Sequence, residues 1–394
     1  MKQAFFDGYV RTDGRVGTRN HLGVFVVGNC GATAARRIAD HFHAKRLAAY
    51  PDVGEVLPFV HEIGCGMEAT GEPMNLLRRT IAGTIRNPNI AGAVVIALGC
   101  ERNNIRAFFE QEGLVQGPML HMLVMQEIGG TANTIDAGIA AIDSMLPLAN
   151  ACRRQSVSAA HLVVGLQSAA ADGDTAVSAN HALGAAIDLL VAQGGTAILS
   201  DTSALAPVAQ AVAARAVDAE VGERLMQRIE WWKGYTAGRD TSMTRAPAAR
   251  PEASAEAMRR GGTTPLRAVY EYAHPVAQRG LVFMDAPAYA AVSATGQVAS
   301  GATMLCLTTS SGSGFGAAPV PTVKLTSNSE VFARMEDDLD IDCGGVLSGA
   351  LSIEQMGEIV LAKMLAYASG EATKSEELGV GQDEFVPWPI GVLA

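Results

Sequence analysis

The sequence predicts an α/β fold, in which parallel strands are covered by helices on both faces. Short, fully apolar runs recur, for example at 22–28 and 91–98, and a segment with helical spacing follows each of them. Continuous apolar strands that alternate with helices are typical of parallel sheets buried on both faces. The 394 residues are 48% hydrophobic and only 18% charged, so the chain can bury the cores of two domains.

In the N-terminal half, four apolar runs predict four strands, at 22–28, 56–60, 91–98 and 118–124. The helices predicted with them cover about 33–48, 73–86, a stretch after Glu101, and 132–149. Right-handed crossovers between these strands give a Rossmann-like layered sheet. We assign this predicted domain to residues 1–155.

A second α/β domain is predicted over 156–394. Its strands are expected at 161–166, 195–199, 280–285, 302–308 and 321–325, and its helices at 179–193, 204–230 and 353–368. Residues 238–262 differ in character, because they are polar and rich in Ala, Pro and Arg. This composition predicts a loop.

Charge and cysteine content exclude several classes of partner. There are 40 acidic and 30 basic residues, a net charge of −10, which is unfavourable for binding nucleic acid phosphates. The first residues are charged where a signal peptide is apolar, and no run approaches the roughly 18 apolar residues of a membrane span. Six cysteines without a secretion signal predict reduced thiols in a cytoplasmic protein.

Three predicted strand ends each carry a cysteine beside a glycine, namely Cys30, Cys65 and Cys100. Ligands bind at the carboxyl ends of strands in open α/β sheets, so we expect these thiols at one site. With His61 and Glu101 they offer donors for Fe²⁺ or Zn²⁺. The alternative is that each cysteine is a small core residue, since the spacing is not a CxxC pattern.

An anion site is also predicted near the N-terminus. Arg11, Arg15 and Arg19 lie in one short segment, and guanidinium groups bind carboxylates through two hydrogen bonds. The turn at 28–31, before a helix, would let a carboxylate approach helix N–H groups. A solvated basic turn is the alternative. The same turn is a poor match to the glycine-rich motif that binds nicotinamide dinucleotides, because Ala34 stands where that motif has its third glycine.

An acidic cluster lies in the C-terminal part of the chain. Asp338, Asp340 and Asp342 would share one face of a strand. Such a cluster is solvated, has raised pKa values or binds a hard cation, and the sequence leaves these alternatives open.

The chain resembles the altronate/galactarate dehydratase family, which includes the large subunit of (2R)-sulfolactate sulfo-lyase. The resemblance covers nearly the whole chain, and the block at 8–20 is its most specific motif. The other matching motifs are at 29–30, 64–66, 98–101, 293–302, 308–309, 321–324, 327–328, 338–340 and 384–388.

The resemblance implies a hydro-lyase that removes water from a small sugar acid or related hydroxy acid, with a divalent metal, Fe²⁺. By their residue types alone, Arg11, Arg15 and Arg19 suit carboxylate binding in this reaction, and the three thiols suit metal binding. The catalytic candidates are His61, Glu101 and Asp172, and further substrate-binding candidates are Asn29, Lys324 and Asn328. Lys324 and Asn328 could instead cap local structure or face water.

The resemblance also implies an assembly. Dehydratases of the family carry a small N-terminal domain that this sequence lacks, and sulfo-lyases supply theirs as a separate chain. A small partner subunit is therefore expected, together with a homo-oligomer.

The second half departs from the family pattern at several positions. The family has Cys-Gly-Gly-Ser-Asp where this chain has residues 168–172, of which only Asp172 agrees. An expected glutamate is Asp201, a lysine is absent near 252–256, and Gly-Arg is replaced by Ser310-Ser311. The alternative to a hydro-lyase is therefore a catalytically degenerate subunit that binds small carboxylates. A nicotinamide-dependent enzyme is a third, weaker hypothesis.

Overall fold

The computed structural model describes residues 3–169, 176–238 and 251–390. The strands are β1 (Phe5–Val10), β2 (Val16–Gly17), β3 (His21–Val26), β4 (Val56–Phe59), β5 (Ile90–Ala97), β6 (Leu120–Val124), β7 (Arg154–Ser158), β8 (Val163–Ser168), β9 (Thr196–Leu199), β10 (Leu266–Tyr270), β11 (Gly280–Met284), β12 (Met304–Thr309), β13 (Thr322–Thr326) and β14 (Ile341–Asp342).

The α-helices are α1 (Ala32–His41), α2 (Ala44–Leu47), α3 (Glu72–Ile85), α4 (Ile105–Glu112), α5 (Met125–Ile128), α6 (Thr131–Asn150), α7 (His181–Ala192), α8 (Thr202–Leu205), α9 (Ala209–Ala213), α10 (Ala219–Thr236), α11 (Pro251–Met258), α12 (Ala290–Ala299), α13 (Ser329–Arg334), α14 (Gly344–Leu347), α15 (Ile353–Ala368) and α16 (Lys374–Leu378). No helix among the described residues is long and apolar enough to cross a bilayer.

Two parallel sheets confirm the predicted α/β fold. The N-terminal sheet has the order β4-β3-β5-β6, and the C-terminal sheet has the order β10-β11-β9-β8-β12-β13-β14. Strand β3 is buried along its whole length because apolar residues cover both of its faces. On one face Phe25 stacks on Phe59 of β4, with ring centroids 4.2 Å apart. This burial explains why the strand reads as a continuous apolar run.

A third, antiparallel sheet was not predicted. It has the order β2-β1-β7 and joins the N-terminal residues to the segment between the two parallel sheets. Strand β7, with the sequence Arg-Gln-Ser-Val-Ser, is half-exposed and mostly polar, so it carries little apolar signal. Strand β10 was also not predicted. Its sequence is mostly apolar, but it is only five residues long and most of them are partly buried.

The predicted helix at 204–230 is wrong as a single element. It is divided into α8, a 3₁₀ turn at Ala206–Val208, α9 and α10. Proline at 207 has no N–H to donate, and Asp218 starts α10 by accepting the N–H of Val221 at 2.9 Å. Similarly, the predicted helix at 33–48 is interrupted at Phe42, between α1 and α2.

The predicted loop at 238–262 is wrong over 251–261, where α11 is followed by a 3₁₀ turn at Arg259–Gly261. Alanine is the best helix former, and burial of Ala257 and Met258 in the core gives this segment an apolar face. Residues 239–250 of the predicted loop lie outside the described residues.

Candidate active site

The three predicted cysteines lie together at the carboxyl end of the N-terminal sheet. They follow β3, β4 and β5, which are neighbours in the sheet. A Cβ built on Gly28 would be 3.3 Å from the Sγ of Cys65 and 2.8 Å from the Cγ of Glu101. The turns after the three strands therefore converge at Gly28. We call Cys30, Cys65 and Cys100 the thiol rim.

Glycine is required where these turns approach each other most closely. Gly64 has φ +110°, and a Cβ there would lie 2.3 Å from the carbonyl oxygen of Val27. A side chain at this position would separate the turn that carries Cys65 from the turn that carries Cys30. The Gly-Cys-Gly motif thus positions the thiol rim by its backbone.

All three thiols of the rim are exposed and free of disulfides. The pKa of Cys65 is raised to about 11, first by desolvation and then by Cys30, which also forms a hydrogen bond with it, and by Glu101 and Cys100. The thiols therefore interact with one another, and Cys65 is protonated near neutral pH. A cation that bound them would have to displace this proton.

Glu101 is buried, and both of its carboxylate oxygens accept backbone hydrogen bonds. Oε1 accepts the N–H of Leu98 at 2.5 Å, and Oε2 accepts the N–H of Gly99 at 2.8 Å. Glu101 thus stabilises the turn after β5 in which it lies. These bonds use the carboxylate that the sequence analysis expected to act as an acid or base.

His61 is buried beside the thiol rim and is held in one orientation. Its Nε2–H donates to the carbonyl oxygen of Val26 at 3.0 Å, and its Nδ1 has no hydrogen-bond partner among the described residues. Burial lowers the pKa of His61 to about 4. The ring is therefore neutral at pH 7, and its Nδ1 can accept a hydrogen bond.

A cavity of about 750 Å³ lies next to His61. Asn29 and Arg36 line one side, and residues from the segment 383–389 line the other. Arg36 of α1 forms an exposed ion pair with Asp383 at 2.8 Å. A cavity of this volume at the carboxyl end of a parallel sheet suits a small organic ligand.

The three predicted arginines lie at the opposite edge of the sheet from the thiol rim, because they precede β3. Arg11 donates to the carbonyl oxygen of Pro88 and to Asn20 Oδ1, both at 2.7 Å. Arg15 pairs with Asp13 at 2.6 Å. Arg19 is buried and binds both carboxylate oxygens of Glu376, at 2.5 and 2.8 Å.

These contacts pair all three guanidinium groups within the protein, and substrate binding by the arginines stays a prediction. Arg19 also donates to the carbonyl oxygens of Tyr367 and Glu371 and so ties the start of β3 to the C-terminal part of the chain. Bidentate recognition of a carboxylate does occur here, but the carboxylate belongs to the protein. The structure therefore does not bring the arginines together with the thiols.

The two substrate-binding candidates of the second half lie in different local settings. Asn328 caps α13 by accepting the N–H groups of Glu330 and Val331, so its predicted role in substrate binding is replaced by capping. Lys324 is fully buried on β13, and its Nζ has no hydrogen-bond partner among the described residues. Burial lowers the pKa of Lys324, opposed by the charges of Asp340 and Asp338.

The acidic cluster does not gather around a common point. Asp340 accepts the backbone N–H groups of Lys324 and Lys374, at 2.7 and 2.9 Å. Asp342 accepts the N–H of Gly344 at 2.8 Å. Backbone N–H groups, rather than a hard cation, satisfy these two carboxylates.

Among residues 3–169, 176–238 and 251–390, no group of three His, Cys, Asp or Glu side chains is arranged to hold a metal ion. The thiols and imidazole have the right chemistry for iron or zinc, but as placed they do not fit a single ion. Asp172, the third catalytic candidate, lies outside the described residues.

A second polar group, which the sequence analysis did not identify as a unit, follows the strands of the C-terminal sheet. Ser200 Oγ lies 2.6 Å from Ser293 Oγ, and Gln297 Nε2 donates to Ser200 at 2.9 Å. Gln167 donates to both Ser293 and Gln297. Ser293 and Gln297 are four residues apart on α12, a spacing that could have placed them on one face.

An ion pair completes this group. Asp201 follows β9 with φ +75°, and its Oδ2 accepts a bond from Arg260 at 2.7 Å. Both residues are buried, and burial raises the pKa of Asp201, although the charge of Arg260 opposes this. We call Gln167, Ser200, Asp201, Arg260, Ser293 and Gln297 the buried polar rim.

The fold and the N-terminal cavity define a class: an α/β protein of two parallel sheets with a cavity at the strand ends of the first sheet. The chain belongs to the galactarate/altronate dehydratase family. Residues 8–150 match the family's second domain, "D-galactarate dehydratase/Altronate hydrolase, second domain". Residues 159–393 match "D-galactarate/Altronate dehydratase, C-terminal". The resemblance inferred from the motifs is thereby confirmed.

Three relatives illustrate the range of the family. Galactarate dehydratase (L-threo-forming) of Escherichia coli is 30% identical over 98% of this chain and 77% of its own length. Altronate dehydratase of the same organism is 27% identical over 93% of this chain and 74% of its own length. The (2R)-sulfolactate sulfo-lyase subunit beta of Chromohalobacter salexigens is 26% identical, with 96% of each chain covered.

Proposed function

We propose that the protein is a hydro-lyase that eliminates water from a small sugar acid or related hydroxy acid. The observation that carries the proposal is the cavity beside His61 in a chain of this family. Relatives that match nearly all of this chain are named as dehydratases of two such acids, which supports this activity over a binding role.

In this proposal His61 positions the substrate. The neutral imidazole has its Nε2–H bound to Val26, which leaves Nδ1 as an acceptor for a substrate hydroxyl rather than a carboxylate. Because Nδ1 is buried, the ring would have to turn slightly before it bound the substrate. Asn29, which also lines the cavity, can donate its side-chain N–H to the carboxylate of the substrate. In the elimination a base takes the proton next to the carboxylate, the hydroxyl of the neighbouring carbon leaves with one proton as water, and the enol that remains becomes the 2-keto acid. We propose Asp172, one of the catalytic candidates from the sequence, as this base.

The test is an activity screen of anaerobically purified protein with a panel of aldonates and aldarates. We expect release of a 2-keto acid from at least one of them. The His61→Asn variant should lower kcat/KM by about 100-fold, because His61 lines the cavity and a misplaced substrate reacts more slowly by about this factor. His43→Asn is the matched control, since His43 is exposed and lies outside the cavity beside His61. Binding of these acids without turnover would refute the proposal.

We further propose that iron is the metal of this enzyme and that its donors come from the thiol rim, whose cysteines would have to move from their present positions to converge on one ion. Thiolates are soft ligands, and the three cysteines are exposed at the sheet edge next to the cavity. Metal analysis of the anaerobically purified protein tests this proposal. Stoichiometric iron supports it, whereas zinc alone, or no metal in a protein with full turnover, contradicts it.

We also propose that the chain acts with a small partner subunit. The support is the similarity to a relative that is itself named as one subunit of a sulfo-lyase. Co-purification from the native host should recover a second, smaller chain. Recovery of a fully active homo-oligomer of this chain alone would contradict the partner. A cytoplasmic location remains a prediction from the sequence.

A further inference from the structure

The cavity beside His61 contains an arginine to which the proposed function gives no role. Arg36, in the second turn of α1, lines this cavity together with Asn29 and His61. Within the described part of the chain, Arg36 is the one lysine or arginine among the residues that line it. Its guanidinium group therefore provides a positive charge at the cavity wall.

The guanidinium group of Arg36 is held by one hydrogen bond to an exposed partner. Nη2 donates to Asp383 Oδ1 at 2.8 Å, whereas Nε and Nη1 have no hydrogen-bond partner among the described residues. The two side chains are 45% and 77% exposed, and ion pairs this exposed contribute little to stability. A ligand carboxylate can therefore bind the free N–H groups of Arg36, or replace Asp383, at small cost.

The arginines that the sequence analysis selected for carboxylate binding differ from Arg36 in this respect. Arg11, Arg15 and Arg19 each donate at least two hydrogen bonds within the protein, at the opposite edge of the sheet. Arg36 combines free donors with a position at the cavity.

The spacing along α1 fits a ligand that has an acidic group at each end. Ala32 and Arg36 both line the cavity and are one turn apart, about 6 Å along the helix axis. Asn29, which we propose as a donor to the substrate carboxylate, lies just before the helix. The carboxylates at the two ends of a sugar diacid are separated by a comparable length, so one molecule can contact both Asn29 and Arg36.

We propose that Arg36 binds a second carboxylate of the substrate and thereby selects a sugar diacid over the corresponding monoacid. A monoacid has a neutral hydroxyl at this end, which is a weaker partner for a guanidinium group than the carboxylate of Asp383. Glu62 and Asp383 also line the cavity, so a diacid that made no contact with Arg36 would be repelled there. The inference rests on the proposed function, because it concerns the substrate of the same site.

The test compares an aldarate with the aldonate of the same carbon chain and stereochemistry. Initial rates give kcat and KM, and titration calorimetry gives Kd for the same two acids. Arg36→Gln should raise KM and Kd for the aldarate by about tenfold, because a hydrogen bond between charged groups is lost, and should leave those for the aldonate nearly unchanged. Arg37→Gln is the matched control, since Arg37 is exposed on the same helix but does not line the cavity.

Two further variants distinguish ligand binding from a structural role of the pair between Arg36 and Asp383. Asp383→Asn breaks the ion pair and removes a carboxylate that competes with the ligand, so it should lower Kd for the aldarate. Arg36→Lys keeps the charge and should retain part of the affinity. A purely structural pair would instead make Arg36→Gln and Asp383→Asn weaken the binding of both acids alike. Circular dichroism verifies that each variant is folded.

Two results would overturn the role of Arg36: an equal loss of affinity for both acids in folded Arg36→Gln, or no preference of the unsubstituted protein for the aldarate. The proposed function fails separately. Selective binding of the aldarate that depends on Arg36 but leads to no turnover would refute the hydro-lyase alone. Turnover of aldonates without turnover or binding of aldarates would refute only the role of Arg36.

Discussion

The two parallel sheets end in polar rims that differ in one physical respect. In the thiol rim the reactive atoms are exposed and have few partners in the protein. In the buried polar rim the side chains bind each other, and Arg260 is only 1% exposed. Polar groups that satisfy one another in the interior specify the fold, whereas groups left open at a cavity can bind a ligand.

The difference also shows why the position of a polar residue at a strand end is insufficient to assign function. Both rims lie where open α/β sheets place ligands. Asp201 has the strained backbone that functional residues often have, but its carboxylate is already paired with Arg260. We therefore assign ligand binding to the thiol rim and stability to the buried polar rim, and four predictions test this division.

The largest effect is expected at the buried polar rim. Arg260→Met should lower the free energy of unfolding by about 3–5 kcal/mol, because it leaves the carboxylate of Asp201 buried without its partner. Urea denaturation followed by circular dichroism measures the change. The control is the double variant Asp201→Asn/Arg260→Met, which removes both charges and should recover much of the loss. Equal stability of the single and double variants would contradict a stabilising ion pair.

His61, which lies beside the thiol rim, should make the free energy of unfolding depend on pH. Its pKa in the folded protein is about 4, below the ordinary value of 6.5, so the folded state resists protonation. The stabilisation is complete above pH 6.5 and is lost as the pH falls towards 4, and it amounts to about 3 kcal/mol. Denaturation at several pH values measures this contribution. The free energy of unfolding of His61→Asn should vary less with pH than that of the unsubstituted protein, by about 3 kcal/mol in total.

His21 complicates this measurement and also provides a check on it. Its pKa is likewise lowered to about 4 by burial, so part of the acid sensitivity must remain in His61→Asn. Replacement of the exposed His43 should leave the dependence unchanged. A His61→Asn curve parallel to that of the unsubstituted protein would show that His61 takes up protons in the folded state, contrary to its burial.

The parallel sheets could be predicted from the sequence because buried strands must be apolar along their whole length. Strand β5, with eight residues from Ile90 to Ala97, is an example. The clustering of the three thiols could also be predicted, since the carboxyl ends of neighbouring parallel strands share one edge. The partners of individual side chains could not, because they come from distant parts of the chain.

Arg19 illustrates this limit. The sequence shows a guanidinium group suited to a carboxylate, but not that Glu376, 357 residues later, provides it. The same holds for Asp201 and Arg260, which are 59 residues apart. Long-range pairing decides whether a charged residue is available to a ligand, and no local pattern encodes it.

The third prediction distinguishes a structural role of Arg19, as the partner of Glu376, from a role in substrate binding. Arg19→Lys keeps the charge but loses the planar fork that binds both oxygens of Glu376, so unfolding should become easier by about 2 kcal/mol. The KM for the acid identified in the activity screen should stay unchanged. A rise in KM of tenfold or more with unaltered stability would instead restore the substrate-binding role.

The smallest effect is expected for two helix-capping asparagines, one after a strand of each parallel sheet. Asn104 caps α4 and Asn328 caps α13, and each side chain accepts two backbone N–H groups. Replacement of either by alanine should lower the free energy of unfolding by about 1 kcal/mol. Because Asn328 is occupied by its helix, Asn328→Ala should leave KM unchanged, as measured by initial rates. A larger rise in KM for Asn328→Ala than for Asn104→Ala would place a ligand at the C-terminal sheet as well, and the division between a binding rim and a stabilising rim would fail.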